Sequence, residues 1–261
     1  MTRPIGIFDS GVGGLTVLGA LRRRLPSERF VYLGDTARLP YGTKSAATVQ
    51  RYAVKAAAHL LQREIKLLVV ACNTASSFAL GEVADAVSVP VVGVVEPGAR
   101  TAVDTGATRI GVIGTEGTIR SGAYQAAIER MAPGTAVATA ACPLFVPLAE
   151  EGWGDHPVTD EVARLYLTPL LGRGVETVIL GCTHYPLLTP SLQRVVGSAV
   201  RLVDSASAVA DTVARDHRNL IAEGDADGGV RLELTDASDR FLRITRSILG
   251  GDPEHLEVVD I

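Results

Sequence analysis

Short apolar runs alternate with longer amphipathic stretches along nearly the whole chain of 261 residues. This alternation is typical of parallel α/β sheets, in which helices cover strands that are buried on both faces. The apolar runs predict strands at 4–8, 30–34, 67–71, 90–95, 109–113, 136–140, 176–180 and 200–203, with tail strands at 230–235 and 256–260. The amphipathic stretches predict helices at 13–24, 45–63, 75–87, 97–105, 119–131, 159–171, 188–196, 206–218 and 238–249.

Two pairs of segments repeat at similar distances along the chain. The run that ends in Cys72-Asn73-Thr74 matches the run that ends in Cys182-Thr183-His184, and residues 5–10 match residues 110–115. An approximate duplication therefore predicts two pseudo-symmetric, doubly wound parallel-sheet lobes that face each other across a cleft. Turn-forming residues place the lobe crossings at Glu96-Pro97-Gly98 and Asp204-Ser205. Lobe one is predicted at 1–95 plus 207–261 and lobe two at 96–206.

Composition and charge exclude several classes of protein. Hydrophobic residues make up 47% of the chain, which is enough for a full core. The formal charge is −4, and the sequence shows no basic patch that would indicate a nucleic-acid partner. No apolar run approaches the roughly 18 residues of a membrane span, and no signal peptide precedes the first strand. A cytoplasmic location is expected, where the three cysteines would remain reduced. No cysteine spacing indicates a metal site.

Polar residues follow several of the predicted strands at their carboxyl ends, where open parallel sheets bind ligands. They are Asp9-Ser10, Cys72-Asn73-Thr74, Thr115 and Cys182-Thr183-His184. Two cysteines in matched settings could face each other across the cleft, an arrangement that suits removal of a proton from one side of a carbon and its return on the other. The helix that follows Cys72 is expected to favour the thiolate through the positive end of its dipole.

Each of these residues also has a structural interpretation. A single cysteine at a strand end is most often a small buried hydrophobic residue, and Cys142, which has no matched partner, is interpreted in that way. Asp9 or Ser10 could cap the first helix, and Asn73 or Thr74 the helix near 75–87. Glu150 with its neighbour Glu151 has the pattern of a solvated surface. The matched cysteine settings favour chemistry over these alternatives.

Taken together, the motifs resemble the cofactor-independent glutamate racemases over nearly the whole chain. The resemblance rests on Phe8 to Gly14, Gly34-Asp35-Thr36 with Pro40-Tyr41-Gly42, Cys72-Asn73-Thr74, Cys142 through Glu150, and Leu180 to Pro186. The cysteine segments alone would also fit aspartate racemases. The Cys-Thr-His form and the Asp-Ser-Gly-x-Gly-Gly opening point to the glutamate branch. The resemblance is also the reason for assigning the tail to lobe one.

The resemblance implies a role for each motif residue. Cys72 and Cys182 would exchange the α-proton on opposite faces of the substrate, with Asp9 supporting Cys72 and His184 supporting Cys182. Glu150 would be a further catalytic carboxylate. The implied substrate contacts are Asp9, Ser10, Tyr41, Gly42, Asn73, Thr74, Thr183 and His184, with Thr115 and Thr118 as additional contacts and Asp35 behind them.

The same resemblance implies glutamate as the substrate and no cofactor or metal. Pyridoxal phosphate would require a Schiff-base lysine, whereas Lys44, Lys55 and Lys66 fall in or beside predicted helices. Enzymes of this kind provide D-glutamate for peptidoglycan, and a homodimer is one expected assembly. Three other functions stay open from the sequence: an aspartate or hydantoin racemase, a non-enzymatic binding protein for an acidic ligand, and a hydrolase with a cysteine nucleophile.

Overall fold

Two separate parallel sheets contain the strands of the chain. The computed structural model describes residues 3–222, 224, 228–251 and 255–261. Within these ranges every strand pairing is parallel. The strands are β1 (Ile5–Asp9), β2 (Phe30–Gly34), β3 (Leu67–Val70), β4 (Val91–Gly93), β5 (Arg109–Gly114), β6 (Ala136–Ala141), β7 (Thr177–Gly181), β8 (Arg201–Asp204), β9 (Val230–Leu234) and β10 (Leu256–Val258).

Helices connect the strands and cover both faces of each sheet. They are α1 (Leu15–Arg24), α2 (Ala46–Leu61), α3 (Asn73–Ala86), α4 (Val95–Val103), α5 (Glu116–Ser121), α6 (Ala123–Met131), α7 (Phe145–Glu150), α8 (Pro157–Leu171), α9 (Thr189–Val196), α10 (Ser205–Asp216) and α11 (Asp239–Leu249). In the described part of the chain, none of these helices is long and apolar enough to cross a membrane.

Strand order shows the internal duplication directly. The first sheet contains the order β2-β1-β3-β4, and the second sheet repeats it as β6-β5-β7-β8. The tail strands β9 and β10 extend the first sheet beyond β2. The predicted fold class, two doubly wound parallel sheets, is confirmed. The exact lobe boundaries stay a prediction, and the parts of lobe one at 1–2, 223, 225–227 and 252–254 lie outside the described residues.

Alternating side chains give each sheet two cores. In β3, Leu67 and Val69 belong to the cluster that includes α1 and α10, whereas Leu68 and Val70 belong to the cluster on the α2 and α3 side. The second sheet likewise packs one face against α8 and α9 and the other against α4 and α6. Burial on both faces explains why these strands are continuous apolar runs in the sequence.

Three local features differ from the sequence-based prediction. The helix predicted at 97–105 begins two residues earlier, so that Pro97 and Gly98, which also mark the predicted lobe crossing, lie inside α4 (Val95–Val103), where the first turn of a helix tolerates proline. The predicted helix at 119–131 is two helices, because Gly122 adopts a left-handed φ of 69° between α5 and α6. The short helix α7 was not predicted, since six residues are too few to show a helical period.

A buried carboxylate fixes the tail to the first sheet. Glu233 of β9 is fully buried, and its oxygens lie 2.6 Å from Nε2 of His59, 2.8 Å from Nε of Arg63 and 2.8 Å from Nε of Arg231. His59 and Arg63 belong to α2 and the turn after it, so this cluster connects β9 to a helix on one face of the sheet. A buried carboxylate requires such partners because its desolvation is costly.

We expect Glu233→Ala to lower the free energy of unfolding by about 1.5–3 kcal/mol, the usual cost of losing hydrogen bonds to a charged group. The loss should stay below that of a fully buried pair because Arg63 and Arg231 retain some access to water. Glu257→Ala, which removes a half-exposed partner of Arg231, should cost at most about 1 kcal/mol. Urea unfolding of both variants tests this, and equal effects would contradict it.

Candidate active site

A small cavity lies where the carboxyl ends of the two sheets meet. Its volume is about 170 Å³, below the roughly 300–1,000 Å³ of sites for drug-sized ligands, so it suits a small metabolite. Most of the site residues predicted from the sequence line it. The lining comprises Ser10, Gly11, Leu39, Pro40, Tyr41, Gly42, Cys72, Asn73, Thr74, Thr115, Val146, Pro147, Glu150, Cys182, Thr183 and His184.

The two cysteines occupy equivalent positions in the repeat. Cys72 follows β3 and Cys182 follows β7, and these strands correspond in the two sheets. Both thiols are free and nearly buried, with 5% and 6% of each residue exposed. They line the same cavity, and a charge on Cys182 affects the ionisation of Cys72. The third cysteine, Cys142, is fully buried in the second sheet's core, as its structural interpretation predicted.

Cys72 is held in its protonated form. Burial raises the pKa of its thiol to about 12, and the negative charge of Asp9 acts in the same direction. The thiol is also the N-cap of α3, where Sγ accepts a hydrogen bond from the backbone N–H of Ala75 at 3.5 Å. The hydrogen bond from this helix end lowers the pKa of Cys72, in the direction that the sequence analysis expected, but desolvation outweighs it. Asn73 and Thr74 are the first residues of α3 rather than its caps.

Cys182 has a different electrostatic environment. Nδ1 of His184 lies 3.9 Å from its Sγ, and Nε2 of His184 lies 3.2 Å from Oε1 of Glu150. Burial acts to lower the pKa of His184, but the interactions with Cys182 and Glu150 prevail and raise it to about 10. His184 is therefore an imidazolium at neutral pH. A thiolate at Cys182 would be stabilised by this neighbouring positive charge.

Asp9 lies beneath the cavity rather than in its wall. It is fully buried, and its Oδ2 accepts a hydrogen bond from the backbone N–H of Gly11 at 2.9 Å. Burial raises the pKa of this carboxyl group, and the positive charge of His184 partly offsets the increase. Asp9 thus interacts electrostatically with Cys72 of the first sheet and with His184 of the second. It does not cap α1, whose N-cap is Gly14 without a side-chain hydrogen bond.

Three threonines join the two sheets at one side of the cavity. Oγ1 of Thr74, at the start of α3, lies 2.9 Å from Oγ1 of Thr115 and 3.3 Å from Oγ1 of Thr118. Thr115 caps α5, and its Oγ1 lies 3.1 Å from that of Thr118. Thr118 is buried behind the wall and does not line the cavity. It contacts the lining residue Thr74 instead.

The loop after β2 forms the adjoining wall. The hydroxyl of Tyr41 donates a 2.5 Å hydrogen bond to Oδ2 of the fully buried Asp35, which also accepts from Arg38 and Thr235. Asp35 therefore holds the Tyr41 hydroxyl from behind the cavity wall. Gly42 needs its lack of a side chain, because a Cβ there would lie 2.7 Å from Cβ of Thr115.

The glycine-rich turn after β1 packs directly on the segment that follows Cys182. A Cβ added to Gly13 would lie 2.3 Å from Oγ1 of Thr183 and 2.4 Å from Nδ1 of His184. Thr16, in the first turn of α1, places its hydroxyl 3.0 Å from the carbonyl oxygen of Thr183. The absence of a side chain at Gly13 thus allows the two sheets to approach closely enough to form one site.

Two kinds of residue at the site escaped the sequence analysis. Val146 and Pro147 of α7 add apolar lining, but their segment carried no periodicity. Tyr124 and Ser205 contact Asn73 from outside the cavity, and no motif marks a residue that acts only through another. In the described part of the chain, no three His, Cys, Asp or Glu side chains are grouped as a metal would require. The absence of a cofactor stays a prediction.

We expect Gly13→Ala to destabilise the protein by about 1–3 kcal/mol, the usual cost of overpacking a tight contact. Gly81→Ala is the matched control, because Gly81 is an exposed helical position with nothing within 4 Å of an added Cβ. It should stabilise the chain by about 0.5–1 kcal/mol through helix propensity. Urea unfolding followed by circular dichroism measures both. A neutral Gly13→Ala would show that the turn does not constrain His184.

The raised pKa of His184 predicts a specific pH dependence. Its interactions stabilise the folded protein fully below the ordinary pKa of 6.5 and are lost as the pH rises through about 10. NMR titration of the His184 ring should show a midpoint near 10, and Glu150→Gln should lower it. Glu151→Gln, at the exposed next position, should leave the midpoint unchanged. An ordinary midpoint in the unmodified protein would contradict this assignment.

Comparison with known proteins identifies the family. Residues 16–213 match the model of the Asp/Glu/Hydantoin racemase family. A glutamate racemase from Geobacter metallireducens is 53% identical over 252 residues, covering 95% of this chain and 93% of that protein.

Solved structures agree with the sequence match. The crystal structure of a glutamate racemase from Francisella tularensis in complex with D-glutamate has a TM-score of 0.93 at 35% identity, covering 99% of this chain and 98% of that one. A glutamate racemase from Escherichia coli, in complex with L-glutamate and the activator UDP-MurNAc-ala, has a TM-score of 0.80 at 31% identity, covering 98% of each chain. The chain therefore belongs to the Asp/Glu/Hydantoin racemase family and is an isomerase.

Proposed function

We propose that this enzyme interconverts L- and D-glutamate by proton transfer between two thiols. The observation that carries the proposal is the pair Cys72 and Cys182, at equivalent positions of a structural repeat and in one cavity. A substrate whose α-carbon lies between them would present one face to each thiol. Racemisation requires one group that removes the α-proton and a second that supplies a proton from the opposite side.

The electrostatics support opposite roles for the two thiols at the start of a reaction. Cys72 is protonated because burial and Asp9 raise its pKa to about 12. Sγ of Cys182 lies 3.9 Å from Nδ1 of His184, and we assign it the role of the base because a neighbouring imidazolium favours a thiolate. In one direction of the reaction, the Cys182 thiolate removes the α-proton and the Cys72 thiol donates its proton to the opposite face of the α-carbon. The thiols end with exchanged protonation states, from which the reverse reaction proceeds.

Hydrogen-bond donors around the cavity would stabilise the charge that develops on the substrate carboxylate. The first backbone N–H groups of α3 have no partner within the helix and carry the positive end of its dipole. Ser10, Thr74 and Thr183 add hydroxyl groups to the wall. Donors directed at a developing negative charge each contribute about 2.7–4 kcal/mol to lowering a reaction barrier. This supply replaces the electron sink that a cofactor would provide.

The choice of glutamate rests on the relatives. The similar proteins from Geobacter metallireducens, Francisella tularensis and Escherichia coli are named glutamate racemases, and the latter two structures hold D- and L-glutamate. The proposal includes a role in supplying D-glutamate for peptidoglycan, in the cytoplasm, as the resemblance of the motifs implies. Homodimer formation stays a prediction. An aspartate or hydantoin racemase remains the alternative within the same family.

Exchange in deuterated water tests the proposed reaction. The purified protein, without added cofactor, is incubated with L-glutamate and separately with D-glutamate. Formation of the other enantiomer with deuterium at the α-carbon is the expected result. Exchange confined to aspartate or to a hydantoin would replace glutamate with the alternative substrate. Binding of glutamate without any exchange would favour the non-enzymatic binding protein and would overturn the proposal.

Removing each thiol tests the two-base mechanism. We expect Cys72→Ala and Cys182→Ala each to lower kcat for racemisation by about 10²–10⁴-fold, the usual contribution of a general acid or base. Cys142→Ala removes a buried thiol outside the cavity and should retain the unmodified rate. Chiral chromatography of the products measures all three. A Cys72 or Cys182 variant with unmodified turnover would contradict a mechanism that needs both thiols.

A further inference from the structure

Asn73 shows an asymmetric hydrogen-bond pattern at the cavity wall. Its side chain is 98% buried, and its Oδ1 accepts a 2.6 Å hydrogen bond from the hydroxyl of Tyr124. Its Nδ2 has no hydrogen-bond partner among the residues that the structure describes. A buried amide N–H group without a partner is costly. Because Asn73 lines the cavity, a ligand bound there could supply that partner. The amide is therefore oriented with its carbonyl oxygen engaged and its N–H groups available to a ligand.

Tyr124 is well suited to hold that orientation. Only 1% of it is exposed, and burial raises the pKa of its hydroxyl, which stays a donor at every neutral pH. Its ring occupies space left by two glycines: an added Cβ would lie 3.4 Å from the ring at Gly98 and 3.2 Å from it at Gly181. Tyr124 belongs to α6 beside the second sheet, whereas Asn73 begins α3 after a strand of the first sheet.

Ser205 completes the cluster but cannot replace Tyr124. Its hydroxyl donates to the carbonyl oxygen of Leu180 at 3.0 Å, and its Oγ lies 3.4 Å from Oδ1 of Asn73. A hydroxyl has one proton to donate, so the shorter bond to Leu180 leaves Tyr124 as the principal donor to Asn73. Leu180 lies two residues before Cys182, and the cluster thus connects Asn73 to the strand that carries the second thiol.

We infer that Tyr124 is a positioning residue, which orients the Asn73 amide so that its N–H groups face the substrate carboxylate. This inference rests on the proposed function, since it assumes a carboxylate substrate in the cavity. The two ends of an asparagine amide have nearly the same shape. Without the Tyr124 hydroxyl, the amide is free to turn its carbonyl oxygen toward the substrate, where it would repel a carboxylate instead of binding it.

A double-mutant cycle tests the inference on the intact protein. Tyr124→Phe keeps the ring and removes only the hydroxyl, so a residue that merely packs would show no effect. We expect kcat/KM for glutamate to fall roughly 10-fold, mostly through KM, because one hydrogen bond is lost and the amide orientation is no longer fixed. Asn73→Ala should cause a larger fall. Tyr166→Phe, which removes a hydroxyl of α8 outside the cavity, is the matched control.

Coupling between the two substitutions is the decisive measurement. If Tyr124 acts through Asn73, adding Tyr124→Phe to Asn73→Ala should change kcat/KM by less than about 2-fold, the scatter expected of independent sites. A full 10-fold effect in both backgrounds, or no effect of Tyr124→Phe in the unmodified protein, would overturn the inference while leaving the proposed function intact. Failure of the unmodified protein to racemise glutamate would overturn both.

Discussion

The site depends on the close approach of two parallel sheets at their carboxyl ends. Each sheet brings one cysteine, and residues that follow strands of both sheets line the cavity. The approach is possible because glycines lie at the contacts: Gly13 meets Thr183 and His184, and Gly42 meets Thr115. Interiors are packed so tightly that a single methyl group at such a contact is felt. Short side chains at the contact therefore matter as much to the site as the groups that would react.

Burial of the cavity strengthens the effect of nearby charges, and these charges differ between the two thiols. Both cysteines are buried, and burial alone penalises a thiolate. On one side, Asp9 adds a negative charge and keeps Cys72 protonated. On the other, Glu150 helps to keep His184 positively charged next to Cys182. The structural repeat is thus symmetric in its strands and asymmetric in the charges around the two thiols.

Much of this could be predicted from the sequence, for identifiable reasons. Strands buried on both faces are continuous apolar runs, so the parallel α/β class could be predicted from periodicity, whereas the division into two sheets required the internal duplication and the place of the tail required the family resemblance. The pair of cysteines could be predicted because the duplication placed both after corresponding strands. The ionisation of Cys72 could not be predicted, since the balance between a helix dipole and desolvation depends on how deeply the thiol is buried. The same holds for α7, whose single turn leaves no period in the sequence.

The contacts of Tyr124 and Ser205 with Asn73 could not be predicted from the sequence. Tyr124 and Ser205 lie 51 and 132 residues from Asn73 along the chain, yet they contact it directly. Nothing in the local pattern of α6 or α10 distinguishes them from ordinary buried polar residues. Their contacts stand out only when the hydrogen bonds of the buried Asn73 amide are followed individually and one end of it is found without a partner in the described part of the chain. In this duplicated fold such contacts also connect the halves, since Asn73 follows a strand of the first sheet and Tyr124 lies beside the second.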